Sequence, residues 1–255
     1  MGKETIVHIG VFIPTECQLL DQACIDIFGS MSYQYMSLVK DLVPQAVIDL
    51  APTVNIHYIG SVKAGELIPL TSNQKILATN HFSDPDVAPG KLDIVLVPGP
   101  DPSGTFEKEP LDWLKKQSEA EGTDILSVCT GIFICGDAGL LKGRTICGPR
   151  GLQDIISKKY GKDIVQKGTE LRWVQDGNFW SSGGVTNGND LVAAYARQSK
   201  HFPKPLVEIA LDLVDVGDRS QQYSRGQSAF MFGMAFNMLR AWMSSLWGKE
   251  KSKTA

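Results

Sequence analysis

The sequence predicts an α/β fold: a three-layer sandwich in which a mostly parallel sheet is flanked by helices on both faces. Apolar, β-branched runs of strand length recur along the chain and alternate with segments of helical spacing. The 255 residues, 43% of them hydrophobic, suit one domain with a full core, and no internal repeat or low-complexity linker interrupts them.

Each element follows from its local pattern. The strand-like runs cover residues 6–13, 54–59, 75–78, 92–97 and 125–128. The helical runs cover residues 19–35, 40–52, 111–117, 129–139, 151–159 and 186–197, the last with Thr186 or Asn187 as a cap. Residues 61–90 are rich in turn signals, and Asp176-Gly177 predicts a hairpin between residues 171–174 and 179–181.

The chain is organised around the stretch from Asp124 to Leu141, in which a short buried strand leads into a helix at Cys129. A cysteine at such a turn predicts a nucleophile elbow with sulfur in place of oxygen. The unpaired N–H groups of the first helical turn favour a thiolate there. The alternative is a buried cysteine that only fills space.

Composition and charge narrow the class of protein. The net charge of −3 and the lack of a Lys/Arg cluster give no support for nucleic-acid binding. The five cysteines show no zinc spacing, which predicts reduced thiols and no metal site. With no apolar leader at the N-terminus, the expected location is the cytoplasm.

Ligand chemistry in this kind of sheet occurs at the carboxyl ends of the strands. Three candidate features follow predicted strands: Asp21 after the first, Gly99 after the strand at 92–97, and Cys129. Their positions predict a shared site. The alternative for Asp21 is a first-turn carboxylate that stabilises a helix N-terminus.

These features carry a resemblance. Ser-Val-Cys129-Thr-Gly131 with Ala138-Gly-Leu-Leu-x-Gly143 resembles the ThiJ/PfpI superfamily, which is class I glutamine-amidotransferase-like and flavodoxin-like in fold. Gln18-Leu-Leu-Asp21, Ile94-Val-Leu-Val-Pro-Gly99 and Ser182-Gly-Gly-Val-Thr-x-Gly188 resemble its isonitrile hydratase-like subgroup. The similarity covers about residues 5 to 200. Two segments, Gly148-Pro-Arg-Gly151 and Val216-Gly-Asp-Arg219, are similar to a fungal-type branch.

The resemblance implies that Cys129 is the nucleophile and Asp21 the carboxylate beside it. It also implies that Gly99 and Thr130 lie at the oxyanion and substrate position. A carboxylate close to a thiolate has a raised pKa, so it holds a proton that it can deliver to a substrate as a general acid. No metal or organic cofactor is implied, and the partner is a small-molecule substrate.

Three departures from the family pattern affect the site. Pro149 stands where relatives commonly have a histidine, which argues against a Cys-His-Asp hydrolase. Pro100 stands where many relatives have a second glycine, and it has no N–H to donate to an oxyanion. The segment from Pro14 to Asp21 is one residue longer than usual, which is expected either to displace Asp21 or to bring Glu16 close to the site.

Arg150 follows a Gly-Pro turn near the elbow. It is a candidate to bind a substrate carboxylate or a developing oxyanion, because a guanidinium donates to such groups in pairs. The alternative is a solvated arginine at a helix start. Cys147 is either a second thiol in the pocket or a buried filler.

The C-terminal part, residues 206–255, is expected to be a helical extension to a family domain at residues 1–205. Residues 229–247 are apolar around the whole circumference of a helix, but Asn237, Arg240 and paired serines argue against a membrane span. Such a helix must be covered, either by its own domain or by a second subunit, which favours a homodimer. Adsorption to a membrane surface is the alternative.

The function expected from these observations is cofactor-independent, cysteine-dependent hydration or lyase chemistry on a small electrophile, similar to the conversion of an isonitrile to an N-formamide. A glyoxalase-type reaction on α-oxoaldehydes is the second enzyme hypothesis. A thiol sensor or binding protein without catalysis is the third.

Overall fold

A computed structural model describes residues 5–161 and 163–251, with side chains described up to residue 245. Leu246 and Trp247 of the predicted apolar tail have side chains outside this range. The strands are β1 (Ile6–Phe12), β2 (Thr53–Gly60), β3 (Leu67–Pro69), β4 (Lys75–Leu77), β5 (Asn80–His81), β6 (Ile94–Val97), β7 (Asp124–Ser127), β8 (Thr145–Ile146), β9 (Val165–Gln166), β10 (Trp173–Asp176) and β11 (Phe179–Ser182).

The helices alternate with these strands as the periodicity predicts. They are α1 (Leu19–Ala23), α2 (Ile25–Ser30), α3 (Tyr33–Leu38), α4 (Gln45–Ile48), α5 (Lys108–Glu119), α6 (Gly131–Asp137), α7 (Gln153–Tyr160), α8 (Asn187–Gln198), α9 (Lys204–Leu213) and α10 (Gln227–Lys251). The helix predicted over residues 19–35 is three short helices. Cys24 ends the first of them, and the Ser32 side chain caps the third by accepting the Tyr35 N–H at 3.1 Å.

The main sheet has the strand order β10-β11-β7-β6-β1-β2-β5 within the described residues. Every neighbouring pair is parallel except the β10–β11 hairpin, whose turn is Gly177-Asn178. The expected mostly parallel α/β sheet is therefore confirmed, with an antiparallel strand only at one edge.

Side chains of β6 alternate between two apolar cores, which shows that both faces of the sheet are covered. Ile94 and Leu96 pack into the core beneath α2, α8 and α9, whereas Val95 and Val97 pack into the core with α5 and α6. The predicted three-layer sandwich follows from this alternation. Because β1, β6 and β7 are adjacent, the loops that follow them meet at one edge.

The C-terminal region has two parts. α9 spans residue 205 and buries Leu206, Val207, Ala210 and Leu211 in the first core, so the division predicted at that residue passes through a helix that belongs to the core. α10 exposes most of its large apolar side chains, including Phe232, Met238 and Trp242. Among the described residues, no helix combines the length and apolar character that crossing a membrane requires.

Candidate active site

Cys129 lies in a sharp turn between β7 and α6. Its φ of +56° is in the left-handed region, which costs a residue with a Cβ roughly 1–2 kcal/mol. Gly131 makes the turn possible, because a Cβ at that position would overlap the Val97 carbonyl oxygen. The predicted sharp turn from strand to helix is present, and it holds a strained cysteine at the carboxyl end of the sheet.

Asp21, on α1, lies against this turn. Its side chain is completely buried, and its Oδ2 accepts the Gly99 N–H at 3.1 Å. The Cys129 side chain lies next to the same carboxyl, and each group shifts the pKa of the other. Oδ1 accepts no hydrogen bond from the described residues. Burial raises the pKa of Asp21 from its ordinary value of 3.8 to about 7, against the lowering effect of the Cys129 and Gly99 contacts.

Cys129 is 7% exposed, and the nearby backbone N–H groups of Thr130 and Val185 act to lower the pKa of its thiol. The pKa of the thiol is raised from 9.0 to about 12, mainly by burial. The negative charge of Asp21 also raises this pKa, by more than either of the two amides lowers it. Three pKa units correspond to about 4 kcal/mol, whereas a helix N-terminus typically contributes roughly 0.3–1 kcal/mol. Burial and the neighbouring carboxyl therefore favour the thiol form of Cys129, in opposition to the N–H groups of the helix start that favour a thiolate.

Gly99 and Thr130 hold the two reactive side chains together. A Cβ on residue 99 would overlap Thr130 Oγ1 and Asp21 Oδ2, so only glycine fits there. Thr130 Oγ1 donates to the Pro100 carbonyl oxygen at 2.6 Å, which fixes the loop after β6. The Gly99 amide binds Asp21, whereas the amides of Thr130 and Val185 are the ones that lower the pKa of the Cys129 thiol.

Arg150 is engaged elsewhere. Its guanidinium lies between the rings of Tyr223 and Phe230, 4.3 and 4.5 Å from their centroids. Its Nη2 donates to the Arg225 carbonyl at 2.9 Å, and its Nε donates to Gln227 Oε1 at 3.1 Å. These contacts attach the segment before α10, and the start of α10, to the domain. The structure therefore unites Cys129 with Asp21, Gly99 and Thr130 but directs Arg150 at the C-terminal extension.

The histidines also have other partners. His8 and His57 lie on the paired strands β1 and β2, with 3.4 Å between Nδ1 and Nε2. His81 hydrogen-bonds within its own loop, and His201 Nδ1 lies 4.0 Å from Asp93. Among the described residues, no histidine is a partner of Cys129. The site thus contains a thiol and a carboxyl without an imidazole.

Val185 is a site residue that the sequence reasoning did not assign. Its amide acts to lower the pKa of the Cys129 thiol, and it follows Gly183 and Gly184, which permit a close approach of the backbone. A Cβ on residue 183 would lie 2.6 Å from the Tyr223 hydroxyl oxygen. The Ser182-Gly-Gly-Val185 segment was the available signal, and its double glycine marks this approach.

Two cavities are lined by residues adjacent to Cys129 and Asp21 in the chain or bonded to them. One of about 510 Å³ is lined by Gly99 and Thr130, and one of about 200 Å³ is lined by Leu20 and Val185. All five cysteines are free thiols. In the part of the chain that the structure describes, no three His, Cys, Asp or Glu side chains are grouped so as to hold a metal ion.

Comparison with known proteins fits this geometry. The chain is 29% identical over 159 residues to isonitrile hydratase of Pseudomonas putida, covering 61% of this chain and 64% of that protein, a little under two thirds of its length. A ThiJ/PfpI family protein from Pseudomonas syringae superposes with a TM-score of 0.61 at 20% identity, over 87% of this chain and 78% of that one. Drosophila melanogaster DJ-1beta superposes with a TM-score of 0.61 at 15% identity, over 84% of this chain and 100% of that one.

The family model that matches is that of the DJ-1/PfpI family, over residues 33–198. That range includes β6, the elbow and the Ser182-Gly-Gly-Val185 segment but begins after Asp21, whose place beside Cys129 comes from the structure. Matching well over half of the chain, with the elbow inside the match, the comparison establishes that this protein belongs to the DJ-1/PfpI family.

Proposed function

We propose that this protein is a cofactor-independent, cysteine-dependent hydratase that converts an isonitrile to an N-formamide. The observation that carries the proposal is the contact between Cys129, on a strained elbow, and the buried Asp21, whose pKa of about 7 lets it take up and release a proton near neutrality. The likeness to the Pseudomonas putida isonitrile hydratase supports the substrate class.

In the first step, Asp21 as carboxylate accepts the proton of the Cys129 thiol while the sulfur attacks the terminal carbon of the isonitrile. Asp21 then delivers this proton to the same carbon. The product is a thioimidate, R–N=CH–S–Cys129, in which a new C–S bond and a new C–H bond replace the S–H bond. Because Asp21 lies at the sulfur, one carboxyl serves as base and then as acid.

In the second step, water adds to the thioimidate carbon and the nitrogen gains a proton. The tetrahedral adduct R–NH–CH(OH)–S–Cys129 collapses, and the C–S bond breaks to release R–NH–CHO and regenerate the thiol. The amides of Thr130 and Val185, which act to lower the pKa of the Cys129 thiol, stabilise negative charge that develops on the sulfur as it leaves. Asp21 is placed to return the proton to sulfur.

The same geometry weighs against a thiol sensor. Sensor cysteines are exposed and have a lowered pKa, whereas Cys129 is buried and its thiol pKa is raised to about 12. A thiol with an adjacent carboxyl is instead suited to a reaction in which the proton and the sulfur add to one substrate carbon.

The quaternary state belongs to the same proposal. In the part of α10 whose side chains the structure describes, seven large apolar side chains are more than 40% exposed: Met231, Phe232, Phe236, Met238, Leu239, Trp242 and Met243. Burial of that surface in a homodimer removes it from water. Sedimentation equilibrium of the full chain tests this point separately from the chemistry, and a monomer across the concentration range would contradict it.

The test of the function is formamide formation from p-nitrophenyl isocyanide by wild type, Cys129→Ser and Asp21→Asn. Turnover by wild type alone supports both residue roles. The first step is tested by mass spectrometry of the enzyme trapped during turnover. We expect one thioimidate adduct per chain in wild type and none in Cys129→Ser. If wild type leaves the isocyanide unchanged but consumes methylglyoxal, the hydratase proposal fails and the glyoxalase hypothesis takes its place.

A further inference from the structure

Glu16 lines the larger of the two cavities beside the site. That cavity, about 510 Å³, is lined by Glu16, Gln18, Thr71, Gly99, Pro100, Asp101, Pro102 and Thr130. The Gly99 N–H binds Asp21, and Thr130 follows Cys129 in the chain, so the wall of this cavity borders the pair of Cys129 and Asp21. The segment before Asp21 therefore adds the Glu16 carboxylate to the wall of this cavity.

The position of Glu16 is fixed by the loop opposite. Its Oε1 accepts the Asp101 backbone N–H at 2.6 Å, while Oε2 accepts no hydrogen bond from the described residues. Gln18, two residues on, donates its backbone N–H to the Gly99 carbonyl at 2.8 Å. These two bonds hold the segment before α1 against the loop after β6, so the Glu16 carboxylate is a built part of the cavity wall.

Asp101 contributes a second negative charge. Its Oδ1 accepts both the N–H and the hydroxyl of Ser103, at 2.8 and 2.7 Å. These hydrogen bonds hold the pKa of Asp101 below its ordinary value, so the carboxyl is ionised at neutral pH. Among the residues that line the cavity, none is lysine or arginine, and Arg150 is bound to the C-terminal extension. The negative charge of the cavity wall is therefore not neutralised by a neighbouring cation of that wall.

We propose that Glu16 and Asp101 select the substrate: the cavity admits small electrophiles that carry a positive charge or a hydrogen-bond donor away from the reacting carbon and disfavours anionic ones. The choice of isonitriles as the electrophile rests on the function proposed above; the charge preference does not.

Thiol-directed reagents of different charge test the preference without any turnover. Cys129 is the most exposed cysteine at 7%, while the other four are at most 1% exposed. Trimethylammonioethyl and sulfonatoethyl methanethiosulfonate carry opposite charges, and both transfer their alkylthio group to the thiolate with loss of methanesulfinate. The preference is the ratio of the rate with the cationic reagent to the rate with the anionic one, divided by the same ratio for 2-mercaptoethanol. We expect this preference to be at least about tenfold for wild type at low salt. Cys129→Ser gives the background.

Three variants assign the effect. Glu16→Gln keeps an oxygen to accept the Asp101 N–H but removes the charge, and it should lower the cationic preference about threefold. Asp101→Asn should act similarly. Glu121→Gln removes an equal charge at the opposite end of β7 and should leave the preference unchanged. In 1 M salt the wild-type preference should fall to within about twofold.

A preference that Glu16→Gln and Glu121→Gln reduce equally, or a wild-type preference near one, would overturn the proposal. Turnover is measured beside it, with 3-(dimethylamino)propyl isocyanide, an alkyl isocyanide and isocyanoacetate. Faster consumption of the cationic compound, lost in Glu16→Gln, supports the selection of substrates. If no isonitrile is consumed but the reagents show the charge preference, the hydratase proposal fails while the role of Glu16 stands.

Discussion

The Gly99 N–H donates to Oδ2 of Asp21 across 3.1 Å, and this bond joins the loop after β6 to the helix that follows β1. The two residues are 78 positions apart in the chain but lie at neighbouring strand ends. The bond stabilises the ionised carboxyl, and burial opposes it and has the larger effect on the pKa. The balance leaves Asp21 with a pKa near the pH at which a cell operates.

The pH profile of catalysis follows from this balance. The first step needs Asp21 as carboxylate and Cys129 as thiol, a state populated between their pKa values of about 7 and about 12. We expect kcat/KM for p-nitrophenyl isocyanide to rise tenfold per pH unit below about 7 and to level off above it. Initial rates from pH 5 to 9.5 measure this.

Two variants separate the groups. Asp21→Glu keeps an acid and should retain a rising limb with a lower plateau, while Asp21→Asn should lose roughly two to four orders of magnitude in rate. A wild-type limb centred at pH 9 or above would show that rate follows ionisation of the thiol alone. In that case Asp21 is not the base.

The same carboxyl should lower the stability of the folded chain at alkaline pH. Its pKa is about 7 when folded and 3.8 in its ordinary state, so the folded state binds the additional proton between these values. The contribution of this carboxyl to the free energy of unfolding is fully present below pH 3.8, and it is lost as the pH rises from there through about 7. Between pH 5 and 8.5 wild type should lose about 3 kcal/mol relative to Asp21→Asn.

Urea unfolding of both proteins at several pH values checks this. Other titrating groups are shared, so the difference between the two unfolding free energies isolates residue 21. A difference that does not change between pH 5 and 8.5 would mean that the folded pKa of Asp21 is close to its ordinary value.

The fold could be read from the sequence because it depends on local periodicity. β6 is four consecutive apolar residues, as a strand covered on both faces must be, and the residues predicted as its limits, 92–97, include it. The helix predicted over residues 40–52 forms only at Gln45–Ile48, directly after Pro44. A helix this short gains little from its own hydrogen bonds, so its limits depend on the surrounding packing and not on local periodicity.

The sequence predicts which residues come together at the site but not their protonation or their partners from distant parts of the chain. The sequence placed Asp21, Gly99 and Cys129 at strand ends, and strand order then brought them together. The protonation state of Cys129 could not be predicted from the sequence, since it depends mainly on how deeply the folded chain buries the thiol. The partners of Arg150 were equally hidden, because Tyr223 and Phe230 lie more than 70 residues further along the chain.

Gly99→Ala should remove activity while the chain still folds. The added methyl overlaps Asp21 Oδ2 and Thr130 Oγ1, so the carboxyl or the loop after β6 must shift. A shift of about 1 Å at the reacting groups can reduce the rate roughly 100-fold, and the overlap should reduce the unfolding free energy by about 1–3 kcal/mol.

Gly151→Ala is the matched control, since a Cβ there meets no atom within 4 Å and its φ is not positive. It should change kcat/KM and stability little. Rates within threefold of wild type for Gly99→Ala, measured with the same isocyanide, would contradict the close packing of Gly99 against Asp21.

Arg150→Met should free the C-terminal extension rather than disable the chemistry. Methionine keeps much of the apolar stem but loses the ring contacts at 4.3 and 4.5 Å and the hydrogen bonds to Arg225 and Gln227. Exposed cation–π contacts contribute roughly 0.5–1 kcal/mol each and hydrogen bonds of charged groups about 1.5–3 kcal/mol, so the attachment should weaken by several kcal/mol. Hydrogen exchange of residues 223–245 should accelerate in the variant, while exchange in β6 and β7 stays unchanged.

Arg240→Met, which removes an arginine over the ring of Phe236 within α10 itself, is the control and should leave residues 223–230 protected. If Arg150→Met instead abolished turnover with the extension still protected, the guanidinium would act on the substrate, as the sequence first suggested, and its contacts with Tyr223 and Phe230 would be secondary.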